Sequence, residues 1–131
     1  MIIKTIGKQI YDRLLAGMPT PAAGQTLICK TVSAHDTWQT IHTVSAGKTF
    51  YLMGVACLGN DTATLRWLLS FDGGATVHMQ VGYTPSISPT AWFEVVSTGW
   101  PIAQVGAGKT IKAKSTTIDT SYYITVWGWE E

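Results

Sequence analysis

Leu68-Leu69-Ser70-Phe71-Asp72-Gly73-Gly74-Ala75-Thr76-Val77 decides the fold class of this chain. Two β-rich runs flank an Asp-Gly pair, which accepts the positive φ angles of a tight hairpin turn, so the stretch predicts two antiparallel strands joined locally. Outward from it, Val77, Met79 and Val81 alternate with polar neighbours, and so do Ile111 and Ala113 further on. A period of two marks a sheet with one face packed and the other in water. From Gln25 the chain reads as nine β-rich runs, approximately 26–33, 37–44, 49–58, 63–71, 75–82, 91–97, 100–105, 109–115 and 121–129, with turn signals such as Gly59-Asn60-Asp61 between them. The expected fold is all-β, an antiparallel jelly-roll-like β-sandwich.

Before this body the periodicity changes. Ile6, Ile10 and Leu14 recur every four residues, Tyr11 and Leu15 widen the stripe, and Gly17 supplies a stop, which predicts a short N-terminal helix over 5–16. A helix of this length is marginal alone and must dock its apolar face on its own sandwich, a neighbouring subunit or a larger assembly. Met18-Pro19-Thr20-Pro21-Ala22-Ala23-Gly24 follows as an extended connector. The expected organisation is therefore a helical arm with a Pro-rich connector at 1–24 and a β-sandwich domain at 25–131.

Composition narrows the function classes. The 131 residues are 46% apolar, which suits one domain burying roughly 65–70% of its unfolded surface. Charged residues make up 13%, about half the usual ~25%. Ser and Thr number 27, of which 19 are Thr, so polarity is carried by hydroxyls; this fits strands and argues against disorder. A net charge of +1, scattered along the chain, leaves no footprint for nucleic acid or an anionic membrane. Apolar runs such as Trp67-Leu68-Leu69 fall far short of the ~20 residues that span a bilayer, so no membrane insertion is expected. The start Met1-Ile2-Ile3-Lys4 does not continue as a secretory signal, so synthesis that ends in the cytoplasm is expected. Cys29 and Cys57 each sit in an apolar strand-like run and are expected to be buried free thiols; a disulfide between them would need neighbouring strands, an order the sequence leaves open.

An internal echo is present. Val44-Ser45-Ala46-Gly47-Lys48-Thr49-Phe50 and Val105-Gly106-Ala107-Gly108-Lys109-Thr110-Ile111 share a Val-x-Ala-Gly-Lys-Thr-apolar pattern. Each reads as a turn with a wet Lys at the rim, followed by a new strand. The Gly-Lys-Thr inside it is not a phosphate loop. The glycine that motif requires five positions earlier is replaced by His42 and Ala103, and strands rather than a helix follow.

Catalytic constellations are weak. His35, His42 and His78 lack the spacing of a metal set and read as surface or hydrogen-bonded core residues. No Gly-x-Ser-x-Gly elbow occurs. Of Asp36, Asp61, Asp72, Glu94 and Asp119, the aspartates sit at expected turns and Glu94 alone is placed within a strand. No catalytic residue, cofactor or metal is expected, and the chain reads as non-enzymatic. The unusual feature is six tryptophans, Trp38, Trp67, Trp92, Trp100, Trp127 and Trp129, suited to a core, a subunit interface or a sugar platform. Trp127 and Trp129 share one strand face. Tyr83-Thr84-Pro85-Ser86-Ile87-Ser88-Pro89-Thr90 is a long loop able to reach a partner, with Tyr83 and Ile87 as its candidate ligand contacts. Asn60-Asp61-Thr62 matches a glycosylation acceptor that a cytoplasmic chain would leave unused.

Over residues 25–131 the chain resembles the small β-sandwich virion proteins of tailed bacteriophages. The resemblance is carried by Val44-Ser45-Ala46-Gly47-Lys48-Thr49-Phe50, the Ser70-Phe71-Asp72-Gly73-Gly74 hairpin, the Thr-rich strands and the closing Tyr122-Tyr123-Ile124-Thr125-Val126-Trp127-Gly128-Trp129. Such proteins decorate capsids, form head fibres or serve as receptor-binding modules, commonly as trimers. The resemblance implies a virion location and a capsid decoration protein that acts as a homotrimer on the major capsid protein. Ile6, Ile10, Tyr11 and Leu14 would then anchor the arm, and Trp100 would serve a body interface. The alternative it implies is a tail or fibre module that binds a host surface glycan through exposed tryptophan and the 83–90 loop.

Overall fold

A computed structural model describes residues 24–33, 36–59, 65–84, 91–97, 99–116 and 123–131. They form nine strands: β1 (Thr26–Ser33), β2 (Gln39–Thr43), β3 (Phe50–Gly59), β4 (Leu65–Ser70), β5 (Met79–Thr84), β6 (Ala91–Val96), β7 (Ala103–Val105), β8 (Thr110–Ser115) and β9 (Tyr123–Glu130). The helix expected at 5–16 lies outside the described residues. Among the described residues no helix is long and apolar enough to cross a membrane.

Two antiparallel sheets face each other. Sheet A runs β1-β9-β3-β6, with the short β7 also paired to β3, and sheet B runs β2-β8-β4-β5. Consecutive strands thus alternate between sheets at the start, and the last strand returns between the first and the third, which is jelly-roll topology. β6 and β7 share one side of β3: β6 pairs with Gly54 to Gly59, and β7 pairs with Phe50 to Leu52. The chain between them leaves the sheet beside Met53, where the β3–β9 register also slips.

The alternation of apolar residues fills the space between the sheets. β3 sends in Phe50, Leu52, Val55 and Cys57, β9 Ile124 and Val126, β4 Trp67 and Leu69, and β8 Ile111 and Ala113. Trp67 is the largest fully buried side chain among the described residues, so it serves the core. In β2 a bulge between Thr40 and His42 inserts an extra residue, and consequently Ile41 and His42 are both buried.

The two echoed turns are equivalent and adjacent. Gly47 and Gly108 both adopt φ 72°, a left-handed conformation that glycine takes without steric cost. The Val44 N–H donates to the Lys109 carbonyl at 2.9 Å and the Gly108 N–H to the Val44 carbonyl at 3.0 Å, so the repeats brace each other. The residues that follow, Phe50 and Ile111, occupy matching core positions.

Three expectations are corrected. The hairpin at Asp72-Gly73 is real but wide: β5 begins at Met79, because Asp72 accepts the Thr76 N–H at 2.9 Å and holds residues 71–78 as a turn. Cys29 is exposed, since it faces outward on edge strand β1; only Cys57 is buried, and the two are free thiols. Glu94 is not the sole acid within a strand, because β9 extends one residue past its expected end and includes Glu130.

Candidate functional site

Glu130 is buried near the end of β9 and reaches across the sandwich to β2. His42 Nε2 lies 2.5 Å from its Oε1, the Ser45 N–H donates to Oε1 at 3.1 Å, and the Ser45 hydroxyl donates to Oε2 at 2.8 Å. Burial works to raise the Glu130 pKa, but the hydrogen bonds from His42 and Ser45 outweigh it and hold the carboxyl below its ordinary value. Ser, His and Glu are the residue types of a nucleophilic triad, yet their order differs. Here the carboxylate stands between the hydroxyl and the imidazole, whereas a nucleophilic serine needs the imidazole between itself and the acid. The arrangement is a clamp that ties sheet A to sheet B.

The outer faces of the two sheets differ in chemistry. Sheet B turns Thr40, Thr43, Arg66, Leu68, Thr110, Lys112 and Lys114 outward, a face of hydroxyls and cations interrupted by Leu68, on which Lys114 Nζ sits 4.9 Å from the Trp38 ring centroid. Sheet A turns apolar residues outward in rows set by its register. Leu27, Trp129 and Tyr51 form one row, and Cys29, Trp127, Gly54 and Val96 the next. Thr31, Thr125, Ala56 and Glu94 form a third row, and Tyr123 with Leu58 closes the face.

Close contacts fix this surface. The Tyr51 and Trp129 rings stack with centroids 5.8 Å apart, and the Thr31 and Thr125 hydroxyls lie 2.7 Å apart. Trp127 lies flat over Gly54, where a Cβ would come within 2.0 Å of the indole. Gly128, on the inner side of the same strand, leaves no room either: a Cβ there would sit 1.9 Å from the Tyr51 carbonyl oxygen. Leu27, Leu58, Val96 and Tyr123 keep between 41% and 49% of their surface exposed. Trp127 and Trp129 therefore belong to a half-buried outer face and not to the core.

Trp100 stands beside this face, at the turn where the chain leaves β6 and enters β7. The turn is pinned at both ends: the Ser97 N–H donates to the Met53 carbonyl at 2.9 Å and the Ile102 N–H to the Leu52 carbonyl at 2.7 Å. The Ser97 hydroxyl also donates to the Trp100 carbonyl. The indole itself is 85% exposed.

The remaining candidate residues are not brought together here. Ile6, Ile10, Tyr11 and Leu14 lie outside the described residues, as do Ile87, His35, Asp61 and Asp119. Tyr83 is in β5, opposite Arg66 in the register. His42 is a hydrogen-bonded core residue, whereas His78 stands at the mouth of the wide hairpin. Among the described residues no three His, Cys, Asp or Glu side chains gather as a metal set. Glu130 was not among the sequence candidates; the signal available was its place in the alternation of β9, four residues after Val126 and two after Gly128 on the face they share.

No family model matches the chain. No curated protein matches it either. Among solved structures it is similar to a chain of the Cyanophage Pam1 capsid asymmetric unit, with a TM-score of 0.47 and 14% identity over 84% of this chain and 90% of that one. It is also similar to a chain from the structure of Bacillus endospore appendages, a family of disulfide-linked pili, with a TM-score of 0.36 and 16% identity over 85% and 93% of the two chains.

Proposed function

We propose that this chain is a non-enzymatic structural protein of a phage virion, a capsid decoration protein that acts through contacts between its own copies and with the major capsid protein. The observation that carries this reading is the outer face of sheet A, an apolar surface beside the exposed Trp100, on a fold whose other sheet presents mainly hydroxyls and cations. Four strands at ~4.8 Å spacing and four rows at ~6.8 Å give roughly 500 Å² of surface. That is the size of the largest apolar patch on an ordinary monomer, a kind of patch that is often functional.

The area also constrains the mechanism. A stable pairwise interface takes about 800 Å² from each partner, so this face alone would hold weakly. Firm attachment would come from several such contacts acting together, with each bound contact raising the local concentration of the next. Trimerisation, the state implied by the resemblance to phage sandwich proteins, supplies that multiplicity, and the arm carrying Ile6, Ile10, Tyr11 and Leu14 supplies a further grip on the lattice. Glu94 is the one charged strand residue on the described part of the face, so little charge has to be desolvated when it is covered.

Light scattering on the full chain tests this reading. The expected result is a trimer of the 14.2 kDa chain that falls to monomer in a Leu27→Lys/Leu58→Lys variant. Both positions are exposed, so the variant should fold. A wild-type monomer at every concentration would contradict assembly through this face.

A further inference from the structure

At the edge of the sandwich, on the side away from β1, the wide hairpin of residues 71–78 and the strand β7 enclose a cleft of about 260 Å³. Phe71, Asp72, His78, Gln104, Val105 and Lys109 line it. The clamp at Glu130 and the outer face of sheet A use none of these except the edge residue Gln104, which pairs with Tyr51 in the register.

The polar groups here are held in place by the hairpin itself. Asp72 Oδ1 accepts from the Ser70 hydroxyl at 2.6 Å and from the Thr76 N–H at 2.9 Å. Those bonds, the Ser70 hydroxyl first, together with a hydrogen bond from the Thr76 hydroxyl and the nearby His78 ring, hold the carboxyl well below the usual carboxylate range, so it is ionised. Its other oxygen faces His78 Nε2 at 3.9 Å, too far for a hydrogen bond. The His78 ring packs on Phe71 with centroids 5.2 Å apart, and its Nδ1 lies 3.2 Å from the Phe71 N–H. A backbone N–H can only donate, which makes Nδ1 the acceptor of the neutral ring and puts the proton on Nε2. The Thr76 carbonyl lies 3.1 Å from the same nitrogen and accepts from it only when Nδ1 carries a proton.

An acceptor and a donor thus stand a fixed 3.9 Å apart on the wall of the cleft. They cannot satisfy each other, but one hydroxyl can satisfy both, accepting from Nε2–H and donating to the carboxylate with legs of about 2.8 Å. Lys109 adds a second donor, and the Phe71 ring adds apolar surface of the kind that packs on the C–H face of a sugar. The carboxylate makes the cleft unfavourable for phosphate, sulfate or another carboxylate, while Lys109 keeps its total charge near zero. The volume is below the roughly 300–1,000 Å³ of pockets for drug-sized ligands, which limits the occupant to about one ring.

We propose that this edge cleft binds a single neutral sugar ring, with one hydroxyl bridging Asp72 and His78 and a neighbouring hydroxyl on Lys109. This site lies outside the 83–90 loop and does not depend on the assembly reading.

Amide chemical-shift titration of the full chain with neutral monosaccharides (glucose, galactose, mannose and N-acetylglucosamine) tests it, with sulfate and sialic acid as anionic controls. At least one neutral sugar should shift amides of residues 71–78 and 104–109 with millimolar affinity. His78→Phe keeps the ring and removes the donor, and Lys109→Met removes the ammonium at an exposed position; each should weaken binding about tenfold. Should His78→Phe misfold, Lys109→Met alone decides. The proposal is overturned if no neutral sugar moves these amides well above millimolar concentration, if the anions bind more tightly than the sugars, or if Lys109→Met leaves the affinity unchanged.

Discussion

Glu130→Ala is the sharpest perturbation of the fold, because one side chain serves three donors on β2 and the turn that follows it. Removing it leaves the buried His42 Nε2 without an acceptor, while the two Ser45 donors sit at the rim and can turn to water. The loss is therefore dominated by the His42 bond and its stranded partner. Losing a buried hydrogen bond to a carboxylate and stranding its donor costs about 2–3 kcal/mol, and because Ser45 can rehydrate it adds little, so the loss should be about 3 kcal/mol. For a domain of this size that is a fall in Tm of roughly 12 °C, read by urea and thermal unfolding. A cycle with His42→Ala should show a coupling above about 1 kcal/mol, since each change removes the same contact. Acidity supplies a second readout. The Glu130 pKa is lowered in the fold, so the unfolded chain binds the extra proton; the stabilisation is complete above the unfolded value near ~4.3 and is lost as pH falls through the lower folded value. Wild-type stability should then drop more steeply below that point than the stability of Glu130→Ala. A loss under about 1 kcal/mol, an additive cycle or parallel acid profiles would refute the clamp.

Other perturbations follow from the packing of sheet A and the thiols. Gly128→Ala drives a Cβ to 1.9 Å from the Tyr51 carbonyl, a backbone wall that cannot swing aside, so it should cost more than about 3 kcal/mol or abolish soluble expression. Gly54→Ala has the Trp127 ring as its nearest neighbour, and because that ring lies on an open face and can rotate outward, urea unfolding should show a smaller loss and a changed tryptophan emission. In dilute native protein one thiol, Cys29, should react with a disulfide reagent within minutes. Cys57, whose thiol burial pushes up to about 12, should react only on unfolding; two fast thiols would contradict its place in the core.

The strands were legible because their residues alternate and their turns carry glycine. All nine expected runs correspond to strands, and the Val-x-Ala-Gly-Lys-Thr echo foreshadowed two equivalent turns. What the sequence did not disclose depends on neighbours distant along the chain. Cys29 and Cys57 look alike locally, but one faces out from an edge strand and the other faces in from a central one. Trp67 and Trp127 sit in similar apolar runs, yet one fills the core and the other covers Gly54 on the outer face. The bulge that turns both Ile41 and His42 inward breaks the period of two, so no alternation could indicate that His42 meets Glu130 88 positions later. The start of β5 was misplaced for a related reason, because a side chain, Asp72, rather than the glycine pair sets the length of the turn.

The account rests on the outer face of sheet A being where copies of this protein meet, and Cys29 lies on that face beside Trp127. The direct test is the rate of maleimide modification of Cys29 measured across a concentration series, in the wild-type chain and in Leu27→Lys/Leu58→Lys. The account predicts fast modification in dilute protein that slows as the chain associates, with a rate independent of concentration in the variant. A wild-type rate that stays constant while light scattering records an oligomer would place the contact elsewhere and contradict the account.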